Sequence, residues 1–296
     1  MSSSKLIVTY DDDAWPDFLG FPLAIEALKK GALLDALEAR ICAVEDAGLA
    51  SVGPSGIPDK NGRHTLDAGV MTGWNRLSAS LGALDGFKNP FKVARLMLEA
   101  QKNGHFPHNF LVGEGAALFA EQHGAQFAPM ENQPPSPPKP EVQAHDTVGC
   151  IAFDGNLWAV GTSTSGWGGK EPGRLGDAPI PGGGFYANAQ GGAFCTWTGE
   201  IATRLSLASR VMIPLEMGHS LEQAVRFAFS ALEPMTDGHK GGVILHAATT
   251  EGCTAVGIGF ENDIISSTYS FWREGMKSPE RHPVPAWNPS LPVPIF

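Results

Sequence analysis

The residues best suited to chemistry are His145, Asp146 and Thr147, followed by Thr162 and Thr164 and by Arg174 and Asp177. A threonine hydroxyl is a weak nucleophile until a base stands beside it. A threonine at a chain start brings its own base. Its α-amine, with a pKa of roughly 7.7 to 8.0, suits proton abstraction at neutral pH, whereas a lysine at about 10.4 does not. To expose that amine here, the Asp146–Thr147 bond must break. The Thr147 hydroxyl can break it by attacking the Asp146 carbonyl, giving an ester that water then opens, and strained local backbone favours the shift. The preceding stretch, ENQPPSPPKP at 131–140, holds five prolines in seven residues and reads as extended and exposed. Taken singly, these residues have bland readings too. Thr147, Thr162 and Thr164 could be ordinary strand threonines, and Arg174 with Asp177 an i,i+3 surface pair. Their order along the chain is what carries weight.

The elements that must position them follow from periodicity and turn signals. Lys5–Tyr10 reads as a short apolar strand. Phe21–Ala47, Phe91–Ala100 and Gly115–His123 read as helices from their three- and four-residue apolar spacing, which makes the first half mostly helical. Val148–Phe153 and Leu157–Thr162 form a hairpin around Asp154-Gly155-Asn156. Gly192–Trp197 reads as a strand, Gly199–Val211 and Ser220–Leu232 as helices, and Gly242–Ala247, Thr254–Phe260 and Ile264–Phe271 as strands. The tail after Arg281 holds five prolines and reads as extended. Sheets flanked by two helical groups predict a layered sandwich.

Bulk properties narrow the function classes. With 296 residues, 43% hydrophobic and 18% charged, the chain can bury a large core. A formal charge of −10 argues against a nucleic-acid surface, which needs clustered lysine and arginine. No run approaches the roughly 20 apolar residues of a membrane span. The opening MSSSKLIVTYDDDAW has no apolar stretch of signal-peptide length, so a cytoplasmic location is expected. Cys42, Cys150, Cys195 and Cys253 match no zinc or redox spacing and read as buried reduced thiols.

The motifs together resemble the glycosylasparaginase (aspartylglucosaminidase) branch of the N-terminal nucleophile hydrolases, whose relatives are the plant-type asparaginases and isoaspartyl peptidases. HDTVG at 145–149, TSTSG at 162–166 and GRLGDAPIPGGGFYAN at 173–188 carry the likeness. Upstream, Ser51–Gly53, Pro58-Asp59, Thr65–Ala68 and Asn109–Glu114 extend it over nearly the whole chain. The resemblance implies an α+β fold, a four-layer αββα sandwich, formed by one domain of residues 1–296. That domain would be made as a precursor and cut into a large subunit, 1–146, and a small one, 147–296, with His145, Asp146 and Thr147 at the processing site. It implies Thr147 as nucleophile, Thr164 orienting its hydroxyl and Thr196 as an oxyanion donor. Arg174 would hold a substrate α-carboxylate, since a guanidinium fork suits a carboxylate, and Asp177 would hold the α-ammonium. Trp15 resembles a tryptophan near the sugar site. No metal or cofactor is implied, and a homodimer of the two-chain unit is. His145-Asp146 before the nucleophile, and the absence of a glycine-rich opening, favour N4-(β-N-acetylglucosaminyl)-L-asparagine as substrate. A β-aspartyl peptide or L-asparagine is the alternative, and a non-catalytic aspartyl-binding protein a second one. Two departures bear on substrate choice. Trp197 stands where the family has glycine beside the oxyanion threonine, and Met71-Thr72-Gly73 stands where it often has MDG.

Overall fold

The computed structural model describes residues 4–12, 15–48, 52–128, 147–232, 241–260 and 267–296. The proline-rich stretch, His145 and Asp146 lie outside them. Two sheets stack face to face. The larger has eight strands in the order β12-β11-β1-β5-β6-β2-β3-β4, and the smaller four in the order β10-β9-β8-β7. In the larger sheet these are β1 Leu6–Asp11, β2 Leu66–Thr72, β3 Ser78–Leu84, β4 Phe110–Val112, β5 Thr147–Phe153, β6 Trp158–Thr164, β11 Thr268–Arg273 and β12 Glu280–Pro283. The smaller sheet holds β7 Phe185–Ala187, β8 Gly191–Trp197, β9 Gly241–Thr249 and β10 Gly252–Phe260.

Helices close both outer faces. On the larger sheet α2 (Leu33–Asp46) packs against β5 and β6, and α3 (Pro90–Lys102) against β2 and β3. Helix α1 (Phe21–Lys29) lies on α2, and α4 (Gly113–Gln122) reaches β3. On the smaller sheet α6 (Leu207–Glu216) packs against β7 and β8, flanked by α5 (Gly199–Leu205) and by α7 (Leu221–Phe229), which contacts β9. The layers therefore run helix, sheet, sheet, helix, as the αββα expectation requires.

Strand alternation splits the core in two. On β8 and β9, Ala193, Cys195, Val243 and Leu245 face α5–α7, whereas Phe194 and Ile244 join the other cluster, which includes the larger sheet. The sheets approach closely where side chains are missing. A Cβ on Gly149 of β5 would lie 2.1 Å from the Phe194 ring, so β5 can meet β8 here only with glycine at that position. All four cysteines are buried and unbridged, as expected.

Several boundaries differ from the sequence reading. The helix expected over Phe21–Ala47 is two helices, because Gly31 at φ +76° turns the chain after α1. The helix expected over Gly199–Val211 breaks at Ser206, which adopts φ +50°. The first half is not mostly helical: β2 (LDAGVMT) and β3 (SASLGAL) are central strands, buried almost throughout. Their small residues carry little β-branched signal, and burial on both faces removes the alternation that marks a half-exposed strand.

Candidate active site

Thr147 opens β5 and pairs in register with Thr164 at the end of β6. Gly149 on β5 meets Phe194 of the facing sheet, so alternation turns Thr147 toward that sheet as well. On β6, Ser163 points the opposite way, donating to Glu45 Oε1 of α2 at 2.7 Å. Thr164 therefore projects between the sheets with Thr147. Its Oγ1 accepts from the Gly166 N–H at 2.9 Å, which fixes the side chain. Thr196 of β8 shares the face of Phe194 and points into the same space by the same alternation. Its Oγ1 is buried and has no partner among the described residues.

One cleft gathers Thr147, Thr164, Trp167, Arg174, Asp177 and Trp197 around the backbone of Gly166 and Gly176. Its free space is about 10 Å³, the size of a single water. A larger groove of about 570 Å³ lies between Glu38, Lys92, Arg95 and Gln126, but none of the motif residues lines it.

The cleft carries opposed charges under different control. Asp177 is 2% exposed, and its Oδ2 is buried without a partner among the described residues. Burial pushes its carboxyl up to about 7, although the nearby Arg174 charge works against the rise. An acceptor left unpaired in the interior costs about 1–3 kcal/mol, a cost that a cationic ligand would remove. This is no surface pair with Arg174. The Arg174 guanidinium instead faces Glu200 of α5, with Nε to Oε1 and Nη2 to Oε2 both 2.9 Å, and lies 5.1 Å from the Trp167 ring centre. Two of its five N–H donors are thus already directed at a carboxylate. A ligand carboxylate must use the others or displace Glu200.

Behind the cleft, Lys170 is buried and donates to Thr65 O at 2.8 Å and Ser165 O at 2.7 Å. Asp67 accepts from Ala83 N–H at 2.8 Å and Gly176 N–H at 3.3 Å. Burial raises the Asp67 carboxyl and lowers the Lys170 ammonium, and each opposes the other's shift. These contacts tie the loop carrying Arg174 and Asp177 to β2 and β3. Sequence reasoning missed Lys170, Asp67 and Glu200, because pairing across such separations leaves no local signal.

Trp197 sits at φ +86°, in the region that favours glycine. A bulky side chain there carries about 1–3 kcal/mol of strain. Trp15, expected near the sugar site, is not among the residues that line this cleft. Its ring is 5% exposed in the core, edge-on to Tyr10 at 5.4 Å and with the Arg40 guanidinium 5.7 Å away.

The cleft thus sets a strand-initial threonine between two stacked sheets, beside a cation and a buried carboxyl whose Oδ2 has no partner among the described residues. The sequence matches the asparaginase family over residues 22–133 and 125–270, and the chain belongs to that family. It is 33% identical to the plant-type L-asparaginase of Pyrococcus furiosus over 283 residues, covering 86% of this chain and 87% of the relative. It is 33% identical to the isoaspartyl peptidase/L-asparaginase of Bos taurus, covering 73% of each, and 32% identical to that of Homo sapiens, covering 74% and 75%. No helix among the described residues is long and apolar enough to cross a membrane.

Proposed function

We propose that this protein is a self-processed amidohydrolase that cleaves the side-chain amide of L-asparagine or of a β-aspartyl peptide, with Thr147 as nucleophile. The observation that carries this reading is the shared cleft of Thr147, Thr164, Arg174 and Asp177, whose Oδ2 has no partner among the described residues. An aspartyl group offers the matching chemistry: a carboxylate for Arg174, an ammonium for Asp177 and a side-chain carbonyl for Thr147.

Maturation comes first. The Thr147 hydroxyl attacks the Asp146 carbonyl, the chain shifts from amide to ester, and water opens the ester to free the Thr147 α-amine. In the mature enzyme that amine takes the hydroxyl proton as oxygen attacks the substrate carbonyl, with Thr164 orienting the hydroxyl. The Thr196 hydroxyl and the Trp197 N–H are the candidate donors to the oxyanion. The protonated amine then gives its proton to the leaving nitrogen, ammonia or an amine departs, and a β-aspartyl ester of Thr147 remains. Water, activated by the same amine, releases aspartate.

The sugar-linked substrate is the second reading. It rests on the His145-Asp146 pair and the absence of a glycine-rich opening, with Trp15 as a resembling tryptophan near the sugar site. Trp15 is packed away from the cleft, and the named relatives are asparaginases and isoaspartyl peptidases. Both points favour the smaller leaving group. The test is a panel of L-asparagine, a β-aspartyl dipeptide and N4-(β-N-acetylglucosaminyl)-L-asparagine. Release of aspartate from at least one of the first two, lost in Thr147→Ala, is expected. Aspartate release that persists in Thr147→Ala would overturn the nucleophile assignment, and binding of aspartate with no turnover would make the protein a non-catalytic relative.

A further inference from the structure

The backbone around Trp197 is held from both sides. Trp197 pairs with Val243 in the β8–β9 ladder. The next residue, Thr198, donates its N–H to Gly242 O at 2.9 Å and accepts from Gly242 N–H at 3.1 Å. Gly199 follows so close to Asp177 that a Cβ there would fall 2.7 Å from the Asp177 Oδ1. These anchors fix the chain path, and the path puts residue 197 at φ +86°. Among the described residues, the other positive-φ residues that are not glycine, Phe18, Arg76, Ala83 and Ser206, lie at φ 50–54°, within the left-handed helical region. Trp197 lies outside that range, at a position glycine would fill without strain. The strained residue is half-buried and lines the cleft that holds Thr147 and Asp177. Strain that persists at a site wall is a signature of functional constraint. A glycine would remove both the strain and the bulk.

We propose that Trp197 is the specificity-determining residue of this site: its indole limits the space beyond the reacting carbonyl, admitting an ammonia-sized leaving group and excluding peptide and sugar amines. The inference rests on the amidohydrolase reading above and goes further by naming which aspartyl amides the site accepts. The wall acts on size, because an indole offers one N–H and otherwise only apolar surface to an entering amine. Wild-type enzyme therefore discriminates against bulky leaving groups by steric exclusion, a form of selection that a smaller side chain relaxes.

The test compares processed wild type, Trp197→Phe and Trp197→Gly on L-asparagine, a β-aspartyl-leucine dipeptide and N4-(β-N-acetylglucosaminyl)-L-asparagine, with Thr147→Ala as control. The readout is the ratio of kcat/KM for each bulky substrate to that for L-asparagine. The ratio should rise in the order Trp, Phe, Gly, by at least about tenfold across the series, since tenfold and more is typical when a pocket gains or loses small apolar volume. The Phe variant keeps an aromatic ring and guards against a Gly variant that folds poorly. A ratio that stays within about twofold across the variants, in an enzyme whose wild type is active and Thr147-dependent, overturns the specificity role alone. No turnover of any substrate by wild type overturns the amidohydrolase reading and this inference with it.

Discussion

Replacing Asp177 with asparagine should stabilise the unliganded protein at alkaline pH while abolishing recognition of the substrate ammonium. Burial raises the Asp177 carboxyl from its ordinary 3.8 to about 7. An acid whose pKa is higher in the folded protein favours folding only while protonated. Its penalty is nearly absent below about pH 4, grows as pH rises toward 7, and is then constant at about 4 kcal/mol, taking 1.36 kcal/mol per pH unit. From pH 5 to pH 8.5 the penalty grows by about 2–3 kcal/mol. Asparagine has the same shape and no such titration, although its amide leaves buried polar atoms to satisfy, at about 1–3 kcal/mol regardless of pH. The difference in melting temperature between variant and wild type should therefore move in the variant's favour by roughly 5 °C across that interval, at about 2–4 °C per kcal/mol. The assay is thermal unfolding of both proteins at the two pH values, with and without L-aspartate. Aspartate should raise the melting temperature of wild type and leave that of Asp177→Asn unchanged, because a ligand stabilises only what it binds. An equal melting-temperature difference at both pH values, or an undiminished aspartate shift in the variant, would refute the argument.

The remaining expectations concern charge and assembly. Arg174→Lys should raise KM by about tenfold or more, because an ammonium cannot reproduce a planar fork; Glu200→Gln, which loosens the guanidinium without removing it, should raise KM less, and steady-state kinetics on processed protein ranks the two. In wild type, kcat/KM should rise with pH through about 7 as Asp177 gains the charge that pairs with the substrate ammonium; a profile flat between pH 6 and 8 would remove Asp177 from that role. We expect a homodimer of the two-chain unit, so light scattering at micromolar concentration should report twice the chain mass of 31.3 kDa.

What could be read from the sequence depended on whether the signal was local. The β5–β6 hairpin was legible because Asp154 makes its own turn, accepting from the N–H groups of Asn156 at 2.9 Å and Leu157 at 2.8 Å. Helices with apolar stripes were legible, and their breaks were not, since nothing in the periodicity marks Gly31 or Ser206 as left-handed. Strands β2 and β3 were invisible because Gly69 and Gly82 are dictated by neighbours distant in sequence: a Cβ on either would lie 2.3 Å from Phe185 or 2.6 Å from Leu175. At the site, residues of the threonine, arginine and aspartate motifs line one cleft. Trp197 stood out as a departure, and the structure adds its positive φ. Trp15 is packed in the core, a placement that a tryptophan beside a proline does not reveal in the sequence. Glu200, 26 residues from Arg174, could be matched to it only in three dimensions.

The central claim is that Thr147 becomes an N-terminal nucleophile, and the intact mass of the purified protein tests it most directly. The account predicts two chains, residues 1–146 and 147–296, whose masses sum to that of the precursor plus one water, with Thr147→Ala remaining a single chain. A wild-type protein that stays one chain of 31.3 kDa, or a Thr147→Ala variant that splits at the same bond, would contradict it.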